Sequence, residues 1–456
     1  MSPDLDRLRL AFDSQLADGL EDAGPPFTRR RVFGQVRLPG KVTSVIGMRR
    51  AGKTTFLHQL RAEKMAGGAT PWRLPFLRLE DERFTGLDAL SLGALIDEYP
   101  SRYLESADAA PEAWLLDEIQ VVPGWERLLR RLLDSRRSEL YISGSSAALL
   151  SREIATELRG RGWKVAIYPF SFEEALRHEG TAQPPDPSAA TEEEATRLES
   201  TFRDWLATGG FPEAQGLPVA TRLQLLRDYV DVAILRDVID RYAVRNATGL
   251  RWLARQVLAN AASPFSVERF HSRLRAEGVA ISKDTVHEYV AYLEDCFLVR
   301  TVWIEAGSER QRMVNPRKAY PVDAGLIPAF DRSGRANLGH ALETAVLIEL
   351  ERRGCEVTYA RTPQGYEVDF LARSPHGNTE LIQVCADASD PDTASRELRA
   401  LADAQEQFPN APKRLLTLTR SGLPSETAGG IKAQAAWEWF LGESPPLPGP
   451  APTGWR

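Results

Sequence analysis

The run GMRRAGKT at residues 47–54 limits what this chain can fold into more than any other feature. It satisfies the spacing G-x-x-x-x-G-K-[ST], whose two glycines let the backbone curl closely around phosphate oxygens. Residues 41–46, KVTSVI, read as a buried strand leading into it, and residues 54–66 as the helix that follows. In that setting consecutive amide N–H groups point inward and the helix N-terminus adds positive potential. The candidate phosphate contacts are Gly47, Met48, Arg49, Arg50, Ala51, Gly52, Lys53, Thr54 and Thr55. Lys53 would place its charge between the β- and γ-phosphates, the Thr54 hydroxyl would ligate Mg2+, and Thr55 would hold the α-phosphate.

A partner for this loop is Trp114-Leu115-Leu116-Asp117-Glu118. Apolar residues hold the segment in a sheet, and Asp117 at its C-terminal edge is the second expected metal ligand, with Thr54. Glu118 is placed to orient and deprotonate an attacking water, and an Asp-Glu pair favours hydrolysis over binding alone. A further strand, Leu140-Tyr141-Ile142, ends in Ser143-Gly144-Ser145-Ser146, and Ser145 is the catalytic candidate there. Arg161, with Arg159 beside it, is the candidate for stabilising γ-phosphate charge, in its own chain or in a neighbour's. Action on a neighbour would require a homo-oligomer.

Short apolar runs at 75–79, 113–116 and 140–142 alternate with helical patterns, among them Trp125, Leu128, Leu129, Leu132 and Leu133. That order argues for a parallel α/β sheet with helices on its faces. GMRRAGKTT, LEDER at 79–83, WLLDEIQ at 114–120, ISGSSAALLSREIATELRGR at 142–161 and YPFSFEEAL at 168–176 together resemble a prokaryotic AAA-type ATPase family. GGFPEA at 209–214 and LLRDYVDVAILRDVIDRY at 225–242 resemble the domain of unknown function fused behind that module. The resemblance implies ATP and Mg2+ as cofactors and hydrolysis of ATP through Asp117, Glu118 and the Ser143–Ser146 region. It names no biological substrate.

Two helices are expected at 266–276 and 282–295, followed by a β-rich wing, an order that resembles a winged helix-turn-helix. Val286, Tyr289, Val290 and Leu293 would face its core. The second helix sets Lys283 against Asp284, Glu288, Glu294 and Asp295, a net of -3 that phosphate would repel. A protein partner is therefore favoured, with DNA left open through Arg269, Arg273 and Arg275. From 340 onward a helix, three strands, a helix and a strand resemble the restriction-endonuclease-like fold, with Glu343 and Asp369 in the metal-ligand positions. The carboxylate-x-lysine of active members reads Gln383-Val384-Cys385 here, so docking is expected rather than nuclease activity.

The fold class expected is α/β: a P-loop NTPase with an AAA-like parallel sheet over residues 1–180, then a linker over 181–195. A helical and winged-helix region over 196–316, a restriction-endonuclease-like domain over 317–442 and a disordered tail over 443–456 complete it. The formal net charge of -6 gives no general affinity for nucleic acid. Three scattered cysteines suit a reducing cytoplasm rather than a disulfide framework. The first residues lack the apolar core of a secretion signal, and no apolar run is long enough to span a membrane.

Overall fold

The computed structural model describes residues 5–21, 27–104, 109–135, 137–144, 158, 160–331, 337–427 and 429–442. They fall into two compact units, one through Ile167 and one from Tyr168.

In the first unit β1 (Val42–Ile46) leads to α2 (Lys53–Ala66), after the N-terminal helix α1 (Leu5–Glu21). Then come β2 (Phe76–Arg78), α3 (Ala89–Tyr103), β3 (Ala113–Asp117), α4 (Trp125–Ser135), β4 (Glu139–Ser143) and β5 (Gly162–Ala166). All neighbouring strands run parallel, in the order β2-β3-β4-β1-β5. Both faces of a parallel sheet must be covered, which explains the near-continuous burial of β1 and β3. Val45, Phe56, Leu57, Phe76, Leu115 and Val165 form the core between the sheet and α2. The edge strand β2 would leave backbone groups unpaired. The Gln15 amide of α1 meets them, accepting from Arg78 N and donating to Arg78 O, both at 2.9 Å.

The second unit opens with α5 (Phe172–Glu179), α6 (Glu192–Thr208) and α7 (Val219–Val232), which passes into a π-helical stretch, Ala233–Ile239. Next come α8 (Ala247–Ala259), β6 (Ser263–Phe265), α9 (Val267–Ala276), α10 (Lys283–Asp295), β7 (Val299–Ile304) and β8 (Arg317–Pro321). Then follow α11 (Leu338–Arg352), β9 (Glu356–Arg361), β10 (Glu367–Arg373), β11 (Thr379–Cys385), α12 (Pro391–Ala404), β12 (Lys413–Thr417), β13 (Ile431–Ala435) and α13 (Ala436–Gly442). Eight strands form one sheet, in the order β13-β12-β11-β10-β9-β7-β8-β6. Phe172, Phe202, Val346, Tyr359, Phe370 and Trp437 belong to one core cluster, and Val368, Leu371, Leu381, Leu401 and Leu415 to another.

This arrangement departs from the expected boundaries in three places. The first unit ends at Ile167 rather than at 180, because Phe172 and Leu176 of α5 are wholly buried in the second unit's core. The expected linker at 181–195 is tied down: Pro187 and Ala190 are buried, and Arg420 donates to the carbonyls of Pro187 and Ala190. The β-rich wing does not stand apart, since β7 pairs antiparallel with β8 and parallel with β9, so a cut at 316 divides a continuous sheet. Val286, Tyr289, Val290 and Leu293 are buried as expected. The tail at 443–456 lies outside the described residues.

Candidate functional site

The loop between β1 and α2 takes its shape from backbone that few residues tolerate. Gly47 has φ 149°, and a Cβ there would stand 2.2 Å from the carbonyl oxygen of Ile167. Arg50 and Gly52 also adopt positive φ. Met48 and Ala51 are fully buried, Arg49 is half-buried and Arg50 is exposed. Lys53 is 5% exposed, and its Nζ donates to Gly47 O at 3.2 Å and Met48 O at 3.1 Å. An ammonium has three donors, so one more is left for a ligand oxygen. The Thr55 side chain is half-buried.

The sheet brings the rest of the site to this loop. Thr54 Oγ1 donates to Asp117 Oδ2 at 2.8 Å. Asp117 is buried, which pushes its carboxyl up, while hydrogen bonds from Ser143 and Thr54 pull the other way. Ser143 Oγ donates to Asp117 Oδ1 and accepts from Glu118 N at 2.9 Å. The parallel register explains this, because Leu116 lies beside Ile142, so the next residues, Asp117 and Ser143, are neighbours at the strands' C-terminal ends. Glu118 has φ 55°, a left-handed conformation that costs a non-glycine residue energy and recurs at functional sites. Its carboxylate accepts from Gln120 Nε2.

Of the expected residues, Gly47–Thr55, Asp117 and Glu118 converge at this one place. Ser145 and Arg159 lie outside the described residues, and Ser143 holds both acidic residues. Arg161 lies away from this loop. Its carbonyl accepts from Val42 N, and its guanidinium pairs with Asp134. That is the start of β1, whereas the phosphate loop follows the end of β1, about 15 Å away at ~3.3 Å per residue. Within its own chain Arg161 is therefore at the wrong end of the sheet for a γ-phosphate. Arg30 escaped the sequence reading, since nothing in RRR at 29–31 marks one arginine over another. It is buried, donates to Ala51 O at 2.8 Å, and exchanges backbone hydrogen bonds with the Gln59 side chain. The loop is thus held from below by a guanidinium.

The second unit contains a separate buried charge cluster. Lys318 Nζ on β8 donates to Glu343 Oε1 at 3.0 Å and Asp369 Oδ1 at 2.9 Å, and pairs with Glu367 Oε1 at 2.9 Å. Tyr320 OH donates to Glu343 Oε1 at 2.8 Å. Burial and the Asp369 charge push Glu343 up to about 7. Asp369 sits where β10 bulges: residues 368 to 371 face 360 to 358, one residue too many, and a bulge re-aims a side chain. Gln383 accepts from Asp369 N at 3.3 Å and donates to Glu397 at 2.7 Å. Lys318 was not foreseen, because it precedes both carboxylates and lies on a different strand. Among the described residues no group of three His, Cys, Asp or Glu side chains is arranged to hold a metal.

Comparison with known proteins agrees with the geometry of the first unit. Residues 39–176 match the family of AAA domains. Residues 199–337 match a family described only as a domain of unknown function. An uncharacterized protein of Methanocaldococcus jannaschii is 29% identical over 444 residues, covering 95% of this chain and 96% of that one. An uncharacterized protein of Haemophilus influenzae is 28% identical over 331 residues, covering 72% and 78%. Among solved structures, a Walker-type ATPase of Pyrococcus abyssi is 15% identical, covers 71% of this chain and 95% of its own, and has a TM-score of 0.37. The Orc1 protein of Aeropyrum pernix, solved in complex with DNA, is 15% identical, covers 72% and 92%, and has a TM-score of 0.28. No helix among the described residues is long and apolar enough to cross a membrane.

Proposed function

We propose that the first unit binds Mg-ATP and hydrolyses it. The observation that carries this reading is the chain of contacts from Thr54 through Asp117 and Ser143 to Glu118, set beside a glycine loop that already holds its lysine. Thr54 and Asp117 present hard oxygens 2.8 Å apart in a partly buried site, a donor set that fits Mg2+. Bound there, the ion would neutralise phosphate charge. Loop amides and the free donor of Lys53 bind the β- and γ-phosphates. Glu118 takes a proton from water as the water oxygen attacks the γ-phosphorus. The bond from that phosphorus to the β–γ bridging oxygen breaks, releasing ADP and phosphate. Titration calorimetry with Mg-ATP tests the reading. Heat with one site per chain, absent in Lys53→Ala, is expected, and no heat from folded wild-type protein overturns it.

A second reading has its own support. The Gln120 amide holds the Glu118 carboxylate, so the base is occupied as the site stands. On that reading turnover is slow until Gln120 lets go, and bound ATP acts mainly as a conformational ligand. In both readings nucleotide state changes the conformation of the second unit, which serves as the interaction unit toward a protein or DNA. Assembly into a homo-oligomer would allow arginines of one chain to serve another's nucleotide. Three free cysteines, with Cys296 buried, suit the reducing cytoplasm.

A further inference from the structure

The charge of the second unit is segregated along the chain. Residues 241–276 hold seven arginines, no lysine and one acidic residue, Glu268, a net of +6 in a protein whose total is -6. The next nineteen residues, 277–295, hold one lysine and five acids, a net of -4. The basic stretch covers α8, β6 and α9, and the acidic one is chiefly α10.

The structure exposes this basic charge. Arg245, Arg251, Arg255, Arg269, Arg273 and Arg275 are all exposed, and among the described residues none of them has a carboxylate partner. The lone acid, Glu268, is taken up by Lys283. Arg251 with Arg255, and Arg269 with Arg273, are i,i+4 pairs, each presented on one side of its helix. The two helices meet where Arg273 Nη1 donates to Gln256 Oε1 at 3.4 Å. Beside that contact is a cleft of about 360 Å³ lined by Arg269 and Arg273 together with Gln256, Asn260, Ser263 and Ser266, and by no carboxylate. Unpaired like charges on adjacent helices repel, so such a cluster stabilises nothing within the fold.

We propose that the surface of α8 and α9 binds the phosphate backbone of duplex DNA. Its all-arginine composition fits this ligand, since the planar guanidinium meets phosphate with two parallel hydrogen bonds. The acidic α10, second helix of the helix pair, is turned away from the phosphates by its charge, so the docking face is the first helix and the one before it. Single strands would need stacking platforms. The surface supplies them poorly: Tyr242 and Tyr292 are stacked on each other at 3.8 Å, leaving Trp252 as the large exposed aromatic residue of the region. The inference does not depend on ATP turnover.

The test is fluorescence anisotropy of the full chain with a labelled DNA duplex across a salt series, with and without Mg-ATP. With six contacts, log K should fall against log salt with a slope of about -5. The pairs Arg269→Gln/Arg273→Gln and Arg251→Gln/Arg255→Gln should each reduce that slope by about 2, because each removes two phosphate contacts. Arg127→Gln on α4 should leave it unchanged. These are exposed surface changes, and circular dichroism checks that each variant is folded. Absence of duplex binding at 50 mM salt in both nucleotide conditions overturns the proposal. So does binding that survives all four substitutions, tighter binding of single strands, or tighter binding of anionic vesicles or an acidic peptide.

Discussion

Thr54 Oγ1 and Asp117 Oδ2, sixty-three residues apart in the chain, meet at 2.8 Å where the first turn of α2 faces the C-terminal end of β3. With Glu118 the next residue, binding and chemistry are assigned to different side chains and can be separated. In Glu118→Gln, Mg-ATP should bind with wild-type heat while kcat falls about 10²- to 10⁴-fold, the usual contribution of a positioned base. Coupled-enzyme kinetics beside calorimetry measures both, and full turnover in this variant removes Glu118 from its role.

Ser143 should act through its two partners. Ser143→Ala takes a donor from Asp117 and an acceptor from the Glu118 amide, both in a buried setting. The expected cost is about 1–3 kcal/mol of stability, read by denaturant unfolding. With Glu118 less firmly placed, kcat should fall about 10- to 100-fold while KM changes little. A variant with unchanged kcat would make Ser143 a purely structural residue.

The Lys318 cluster predicts an asymmetry. Lys318→Met leaves Glu343, Asp369 and Glu367 without their shared cation and should cost about 3–5 kcal/mol, as removing one partner of a buried ion cluster does. Glu343→Gln should cost less, since burial already pushes that carboxyl up to about 7 and much of its charge is absent at neutral pH. Thermal unfolding of both variants at pH 7 measures this, and equal costs would contradict it.

Asp323 supplies a pH dependence. It is buried, accepts from Gly210 N at 2.7 Å and Gly325 N at 3.0 Å, and burial pushes it up to about 6 from an ordinary 3.8. Between those values the folded chain holds a proton that the unfolded chain has released. Its contribution is therefore fully present below about pH 4 and is lost as pH rises through about 6, by up to about 3 kcal/mol. In Asp323→Asn that component of the stability profile from pH 4 to pH 7 should vanish. At pH 4 the variant should also be weakened by about 1–3 kcal/mol, because an amide keeps only one of the two acceptors, and that deficit should shrink or reverse toward pH 7, where the wild type has lost its proton. An unaltered profile refutes the assignment.

What was legible in the sequence was local. GMRRAGKT is contiguous, and its strand and helix are set by residues beside it, so the loop and its lysine could be placed from the letters alone. That Ser143 bridges Asp117 and Glu118 needed the register of β4 against β3, which no local pattern encodes. The position of Arg161 at the far end of the sheet from its own phosphate loop was not legible, because proximity in sequence to β4 says nothing about which end of the sheet the chain has returned to. Lys318, Glu343 and Asp369 come from two strands and a helix, and Asp369 owes its direction to a bulge that breaks the period-2 rule used to assign faces. The boundary at 167 was hidden because 180–195 has a linker's composition while its buried proline and alanine anchor it.

The pairing of β7 with β9 has a consequence for inheritance. Trp303 and Ile304 stand beside Thr358 and Tyr359, so the strands matched to the domain of unknown function continue into strands that lie beyond residue 337. Neither portion can be deleted, exchanged between genes or expressed alone without baring a hydrogen-bonding edge to self-association. The segment from 263 to 435 should therefore pass through evolution as one indivisible cassette.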